Sequence, residues 1–463
     1  MAKAEPRPME DPESARERAV RSAAITRAVV VDRGAIAQLP RVLDEIGHAS
    51  ACRIVADMNT MAAAGDRAAA ALTSAGIAIE EPIVLSESPR LKPRVETARE
   101  VARHLATTGA LPIAVGSGVI NDLTKYAAEL TQLPYISVAT AASMDGYAAS
   151  GAALLDGGFK RTLACKAPVA IVADLDVIAK APPRMAAWGY GDLAGKVVAG
   201  ADWILADALG EETLAPAPFA LVHDHLSGWL SAPEGVAAHD IDALRGLVDG
   251  LLISGFAMQA HHNSRPASGS EHQLAHVWEM ERLSVNGEPV AHGACVGVGT
   301  VAMLALYEWL LAQDVRAAAD TSDIAQTEDE STIEAELASS FPEPALAQSA
   351  RTEMVAKRAR TVHRAARIRL LVGTWPALRP RIADSIVSAA TMQQWLRRCG
   401  AASQPADIGL SPQKLAGDIR RARLIRRRYT ILDCLEDLGL LERAIAAVCG
   451  DERTAVAPSS PSA

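Results

Sequence analysis

The sequence predicts an α/β protein in two parts, a parallel doubly wound sheet over residues 25–180 followed by an all-α domain over residues 181–450. Three observations predict it. Short β-branched runs alternate with amphipathic segments as far as residue 140, the pattern of repeated strand-helix-strand units. From residue 181 clear strand runs vanish and apolar residues recur at helical spacing. A chain of 463 residues also exceeds what one core supports and suits two domains of roughly 150 to 250 residues.

The first part reads in order. RAVVVDRG, residues 27–34, is a strand and AQLPRVLDEIG a helix. CRIVADMNT, residues 52–60, is a strand, and the Ala-rich stretch 61–75 a helix. IAIEEPIVLSE, LPIAVGSG and LPYISVAT are the next strands, separated by the helices VETAREVARHLATTG and VINDLTKYAAELTQ. In the second part GDLAGKVVAGADWILADAL and GVGTVAMLALYEWLLAQ are helices. Residues 313–345 hold nine acids against one base, Arg316, for a local charge of −8, which predicts an exposed or disordered insertion. Basic runs at 351–369 and from Arg420 to Arg428 are expected on helices, as solvated faces and ion pairs. The polar leader 1–24 and the tail 451–463 are expected to be disordered.

The net charge of −9, from 46 basic and 55 acidic residues, comes almost entirely from the acidic stretch. The balance gives no pull toward nucleic acid. The leader lacks the apolar stretch of a signal peptide, and no run reaches the ~18 uncharged apolar residues of a membrane span. Six cysteines lie scattered without CxxC spacing, as free buried thiols in a reducing compartment do, so a cytoplasmic protein is expected.

Three constellations carry chemistry. In AVGSGVINDLTKY, residues 114–126, a strand runs into Gly116, Ser117 and Gly118 and then a helix opened by Val119 and Ile120. A pyrophosphate would fit there, on unpaired N–H groups at the positive end of a helix dipole. The third glycine of GxGxxG is missing, and any tight strand-to-helix turn also favours glycine. Asp57, ending the second strand, suits a ribose hydroxyl or equally a helix cap. The second constellation, SVATAASMDGYAAS at 137–150, runs through Thr140, Ala141, Ala142 and Ser143 to Asp145, which suits a substrate hydroxyl or a plain turn. The third joins Asp192 in WGYGDLAGK, His272 and His276 in SRPASGSEHQLAH, and His292 in VAHGACVGVG. His272 and His276 stand four apart, on one face of a helix, and two imidazoles with a carboxylate suit a divalent ion with open positions.

GYGDLAGK, SRPASGSEH, HGACVGVG, the GSG turn and TAASMDGYA, in this order of chemistry and at appropriate intervals, resemble the glycerol-1-phosphate dehydrogenases. That family lies within the iron-alcohol-dehydrogenase and dehydroquinate-synthase-like superfamily. The resemblance runs from about residue 27 to 310, resumes at RRYTILDCLEDLGLL (427–441), and is strongest to the bacterial branch. It implies a dinucleotide-binding first domain and a metal-binding second one. Asp192, His272 and His292 would hold one divalent ion, zinc or nickel before iron. Asp145, Asp192 and His276 would contact substrate. NAD or NADP would contact Asp57, Gly116, Ser117, Gly118, Val119, Ile120, Thr140, Ala141, Ala142 and Ser143. The implied reaction is reduction of dihydroxyacetone phosphate to sn-glycerol 1-phosphate, with His276 or a metal-bound water moving the proton. A homo-oligomer, with a dimer favoured, is expected. One departure stands out: Ala149, followed by Ser150, occupies a position where the family usually has serine. The alternatives are a polyol dehydrogenase, a dehydroquinate-synthase-like lyase, and a binding protein that kept the fold.

Overall fold

The computed structural model describes residues 12–48, 51–87, 91–156, 159–321, 330–360 and 363–450. These form two compact units. One comprises Met1–Leu193, Pro216–Ala267 and Arg398–Ala401, the other Ala194–Ala215, Ser268–Arg397 and Ala402–Ala463.

The first unit is built on six parallel strands. They are β1 (Ala28–Asp32), β2 (Cys52–Asp57), β3 (Ile79–Leu85), β4 (Leu111–Gly116), β5 (Ile136–Ala139) and, after a hairpin of β6 (Ala152–Asp156) and β7 (Phe159–Leu163), β8 (Ala170–Asp174). Their spatial order is β1-β8-β5-β4-β2-β3. Both faces are covered, so β4, β5 and β8 are buried along their whole length instead of alternating. On one face Ile54 and Ala56 pack with helices α2 (Leu39–Glu45) and α3 (Asp66–Ser74), through Leu39, Val42, Ala68 and Leu72. On the other, Val55 packs with α4 (Val95–Ala106) and α5 (Gly118–Thr131), through Val101, Leu105 and Ala127. Each leucine, isoleucine or valine among these contributes roughly 1.5–3 kcal/mol by leaving water.

Two features differ from expectation. The expected strands end at β5, yet the wholly buried AIVAD run of β8 fills the place between β1 and β5. Residues 12–22 of the leader form helix α1 (Pro12–Ser22), because Ala15 and Ala19 are buried and Arg16 donates to Asp249 at 2.7 Å. Residues 1–11 and 451–463 of the expected leader and tail lie outside the described residues.

Helix α6 (Pro183–Ala208) runs through both units, which part after Leu193, and α7 (Ile241–His261) belongs to the first. In the second unit α8 (Ser270–Met280) is followed by a short ladder of β9 (Ser284–Val285) and β10 (Glu288–Pro289) and by α9 (His292–Leu311). That ladder is a small exception to an all-α domain. Its turn is Asn286-Gly287, both at positive φ (52° and 80°), the backbone a two-residue hairpin needs. By length and composition α9 is apolar enough to cross a membrane, but most of it is buried inside the fold, as a core helix is. Helices α10 (Pro412–Ala422) and α11 (Ile431–Asp437) complete the part of this unit that bears on the site.

The acidic stretch is largely helical where described, over Val315–Thr321, Glu330–Ser340 and Pro344–Arg360; residues 322–329 lie outside the described residues. Two of its acids pair with the basic runs, Glu334 with Arg351 and Glu336 with Arg423, and just beyond it Glu353 pairs with Arg427.

Candidate active site

β2 and β4 are hydrogen-bonded neighbours, yet the chain leaves β2 toward the α3 face and β4 toward the α5 face. Their carboxyl ends therefore flank a topological switch point, where open α/β sheets bind ligands. Asp57 ends β2, Gly116 ends β4, and β5 beside it leads into Thr140. Asp57 is also a helix cap: Oδ1 accepts from Thr60 N at 2.8 Å and its own N–H donates to Thr60 Oγ1 at 3.0 Å. Ser117, preceding α5, does not cap it with its side chain, so the first-turn N–H groups have no side-chain acceptor from that residue. The two glycines serve the turn itself. A Cβ on Gly116 would lie 2.5 Å from Ile120 Cβ, and one on Gly118 2.9 Å from Met144 Cε. The space their missing side chains leave is thus filled by protein.

The loop after β5 is tied to this turn. Thr140 N donates to Gly116 O (3.2 Å), and the Ser117 and Ser143 hydroxyls are 2.9 Å apart. Tyr147, buried, donates to Ala141 O (2.8 Å); burial pushes its phenol above the ordinary value, so it stays protonated. Lys125 on α5 donates to three carbonyls, of Gly146 (2.8 Å), Ala149 (3.0 Å) and Gly151 (3.0 Å). Asp145 is held by its backbone N–H on Asp192 Oδ2 (2.9 Å) and by Ser254 Oγ on its Oδ2 (3.4 Å). Ala149 is buried and Ser150 exposed, so Ser150 does not stand in for the usual serine.

Asp192 lies in a row of small residues along α6. A Cβ on Gly189 would come within 2.0 Å of Ala142 O, and one on Gly195 within 3.4 Å of the His272 ring. Three-residue steps put both glycines on one face with Asp192, so glycine lets the helix backbone close on the Ala142 loop at one point and on α8 and α9 at the other. Asp192, His272 and His292 each offer a ligand atom, all within 4.8 Å of one another. His272 is in the first turn of α8, and His292 opens α9.

Carboxylates orient all three imidazoles. Glu271 Oε1 is 2.6 Å from His272 Nδ1, and Glu279 reaches two rings at once, with Oε2 2.9 Å from His276 Nδ1 and Oε1 2.8 Å from His292 Nδ1. Occupied Nδ1 atoms leave Nε2 as the ligand atom. His276 stands outside the group of three, its ring centroid 5.9 Å from that of His292. Burial pushes its imidazole well below the ordinary value, keeping it neutral. Below the site, Asp202 accepts from Ser270 N (2.7 Å), Tyr307 Oη (2.6 Å) and Ile431 N (2.8 Å), fixing the starts of α8 and α11 against α9.

Sequence reasoning missed Lys125, Tyr147, Ser254, Asp202, Glu271 and Glu279. Only Glu279 left a readable signal, in the spacing of HQLAHVWE: it stands three residues after His276, within reach on the helix face.

Residues 30–182 match the family described as iron-containing alcohol dehydrogenase. The chain is 31% identical over 408 residues to glycerol-1-phosphate dehydrogenase (NAD(P)+) of Halalkalibacterium halodurans, covering 88% of this chain and 91% of that one. It is 41% identical over 202 residues to the enzyme of the same name from Bacillus subtilis, 44% of this chain and 51% of that one. Among solved structures it resembles glycerol dehydrogenase from Schizosaccharomyces pombe, with a TM-score of 0.58 and 14% identity over 92% of each chain. It also resembles sulfoacetaldehyde reductase from Bifidobacterium kashiwanohense in complex with NAD+, with a TM-score of 0.55 and 14% identity over 93% of this chain and 98% of that one. These two share the fold. With its sequence shared along nine-tenths of the Halalkalibacterium enzyme, the chain belongs to the glycerol-1-phosphate dehydrogenase family.

Proposed function

We propose that the protein reduces dihydroxyacetone phosphate to sn-glycerol 1-phosphate with NADH or NADPH, and runs the reverse oxidation, using a divalent ion held by Asp192, His272 and His292. The observation that carries this reading is the convergence of those three ligand atoms, with Asp145 bonded to Asp192 and His276 beside His292. The donor set fits a divalent ion, with two imidazoles whose Nδ1 atoms are already held by carboxylates and one buried carboxylate; zinc or nickel before iron is part of the proposal. When bound, the ion supplies an electrophile for the C2 carbonyl oxygen and the nicotinamide supplies hydride to C2.

The chain's own residues do the rest. Asp145, its backbone fixed on Asp192, orients the substrate's hydroxyl. His276, held by Glu279 at Nδ1, exchanges a proton with the substrate oxygen at Nε2. In the cofactor domain, residues 25–180, Asp57 engages a ribose hydroxyl. The N–H groups of Gly116, Ser117, Gly118, Val119 and Ile120 cradle the pyrophosphate, while Thr140, Ala141, Ala142 and Ser143 line the cofactor beyond it. Residues 181–450 supply the metal and substrate residues. A cytoplasmic homodimer is part of the same proposal, supported on the cytoplasmic side by five buried cysteines in thiol form.

The test is oxidation of NADH and NADPH with dihydroxyacetone phosphate, with the product's stereochemistry determined. Turnover yielding sn-glycerol 1-phosphate is expected. Equal specificity constants for glycerol and sn-glycerol 1-phosphate would favour a polyol dehydrogenase, and carbocycle formation without net NAD turnover a lyase.

A further inference from the structure

The loop that carries Asp145 rests on one stretch of α7. Ser254, fully buried, has its hydroxyl 3.4 Å from Asp145 Oδ2. A Cβ on the next residue, Gly255, would lie 2.7 Å from Ala148 Cβ and 3.0 Å from the Asp145 carbonyl oxygen, so glycine lets the helix backbone approach the loop this closely. Gln259, four residues on and on the same face as Gly255, donates from Nε2 to the Ala148 carbonyl at 2.6 Å. The carboxylate of residue 145, its backbone and the carbonyl of Ala148 each meet a different residue of one helix.

The amide of Gln259 has a fixed sense. Its Oε1 accepts from Ile25 N at 3.1 Å, and its Nε2 also donates to Thr26 Oγ1 at 2.9 Å, whose own proton goes to Pro168 O at 2.7 Å. A backbone N–H only donates and a carbonyl only accepts, so a flipped amide would lose the bonds to both Ile25 and Ala148. Both Nε2 protons are used, on a side chain that is only 3% exposed. Burying a primary amide is tolerated when its polar atoms are matched. Here the match is made by the segment after α1 and by the Asp145 loop, which Lys125 of α5 holds in turn through the Gly146 and Ala149 carbonyls.

We propose that Ser254 and Gln259 are positioning residues for the substrate, acting through Asp145: Ser254 sets the plane of the carboxylate, and Gln259 sets the path of the loop that carries it. This rests on the reading above, which gives Asp145 the substrate's hydroxyl. Neither residue touches substrate or cofactor. What they control is the geometry that Asp145 offers the reacting triose, and a misplaced orienting group loses transition-state stabilisation. Dinucleotide and metal binding, made by other residues, do not depend on them.

The experiment is a pair of double-mutant cycles. Ser254→Ala and Gln259→Met are each made in wild type and in Asp145→Ala, and kcat/KM for dihydroxyacetone phosphate, NADH affinity by titration and metal content are measured. In the wild-type background each variant should lower kcat/KM by roughly 3- to 30-fold, the scale of one lost hydrogen bond. In Asp145→Ala neither should lower it further, because the group they position is gone. NADH affinity and metal content should match wild type. Gln259→Met also removes buried bonds and should melt lower, whereas Ser254→Ala removes a single hydroxyl and should melt near wild type, so it carries the test if Gln259→Met folds poorly. A role in stability alone would give the same proportional loss in both backgrounds. That additivity, or wild-type kcat/KM in the single variants, in an enzyme that Asp145→Ala does impair, would overturn this inference alone. An Asp145→Ala enzyme with wild-type kcat/KM would overturn the placement of Asp145 at the substrate and this inference with it.

Discussion

Replacing Glu279 with glutamine changes one atom of its side chain and should weaken the metal site without unfolding it. The native carboxylate accepts at both oxygens, from His276 Nδ1 at 2.9 Å and His292 Nδ1 at 2.8 Å. Glutamine keeps one acceptor and turns the other position into a donor, so one of the two rings must move its proton to Nε2. If that ring is His292, it can no longer ligate there; if it is His276, the acceptor at Nε2 is lost from the substrate side. A hydrogen bond to a charged group contributes about 1.5–3 kcal/mol, which corresponds to roughly a 10- to 150-fold change in an equilibrium constant. The assay is competition for zinc between the metal-free protein and a chromophoric chelator. A rise of about 10- to 100-fold in the metal dissociation constant is expected, with a smaller rise for Glu279→Asp, which keeps the charge but reaches one ring. An unchanged dissociation constant in Glu279→Gln would refute the view that this carboxylate orients the ligand.

Other outcomes follow from packing and burial. Burial holds His223 down to about 4, against an ordinary 6.5, so between these values the unfolded chain binds the proton that the folded chain refuses. Stability from this residue is complete above pH 6.5 and is lost as pH falls toward 4, by at most about 3 kcal/mol; urea unfolding of His223→Gln at pH 7 and 4.5 should show a shallower loss than wild type, and an identical loss would count against it. Gly116→Ala, with its Cβ 2.5 Å from the branched Ile120, should distort the turn and weaken NAD(P)H binding in a titration, whereas Gly118→Ala meets only the flexible end of Met144 and should bind nearly as wild type. Gly189→Ala would set a methyl 2.0 Å from the Ala142 carbonyl oxygen, and thermal melts should show a loss of about 1–3 kcal/mol or more; a wild-type melt would show that α6 can move away freely.

The sheet was legible where β-branched residues stand in runs between amphipathic helices, as in Val29, Val30 and Val31 of β1 and Ile54 and Val55 of β2. β8 escaped notice because its five residues follow a glycine-containing hairpin that breaks the alternation. Helix α1 was hidden by its polarity: among its described side chains only Ala15 and Ala19 are buried, and the Arg16 to Asp249 contact spans 233 residues, beyond any local pattern. At the site, ligand types at readable spacings pointed to Asp192, His272 and His292. The groups that orient them were less visible, since Glu279 looks like any helix glutamate until α9 brings His292 back to it. Gly116 and Gly118 were legible as a turn, but the occupants of the space beside them, Ile120 and Met144, emerge only from the folded backbone.

The proposed turnover depends on Asp192, His272 and His292 holding one ion, so the decisive measurement is metal stoichiometry. Elemental analysis of the purified protein should find about one divalent ion per chain, nearly absent from His272→Ala and His292→Ala, which should stay folded yet fail to oxidise NAD(P)H with dihydroxyacetone phosphate. Full turnover by wild-type protein after exhaustive chelation would contradict it.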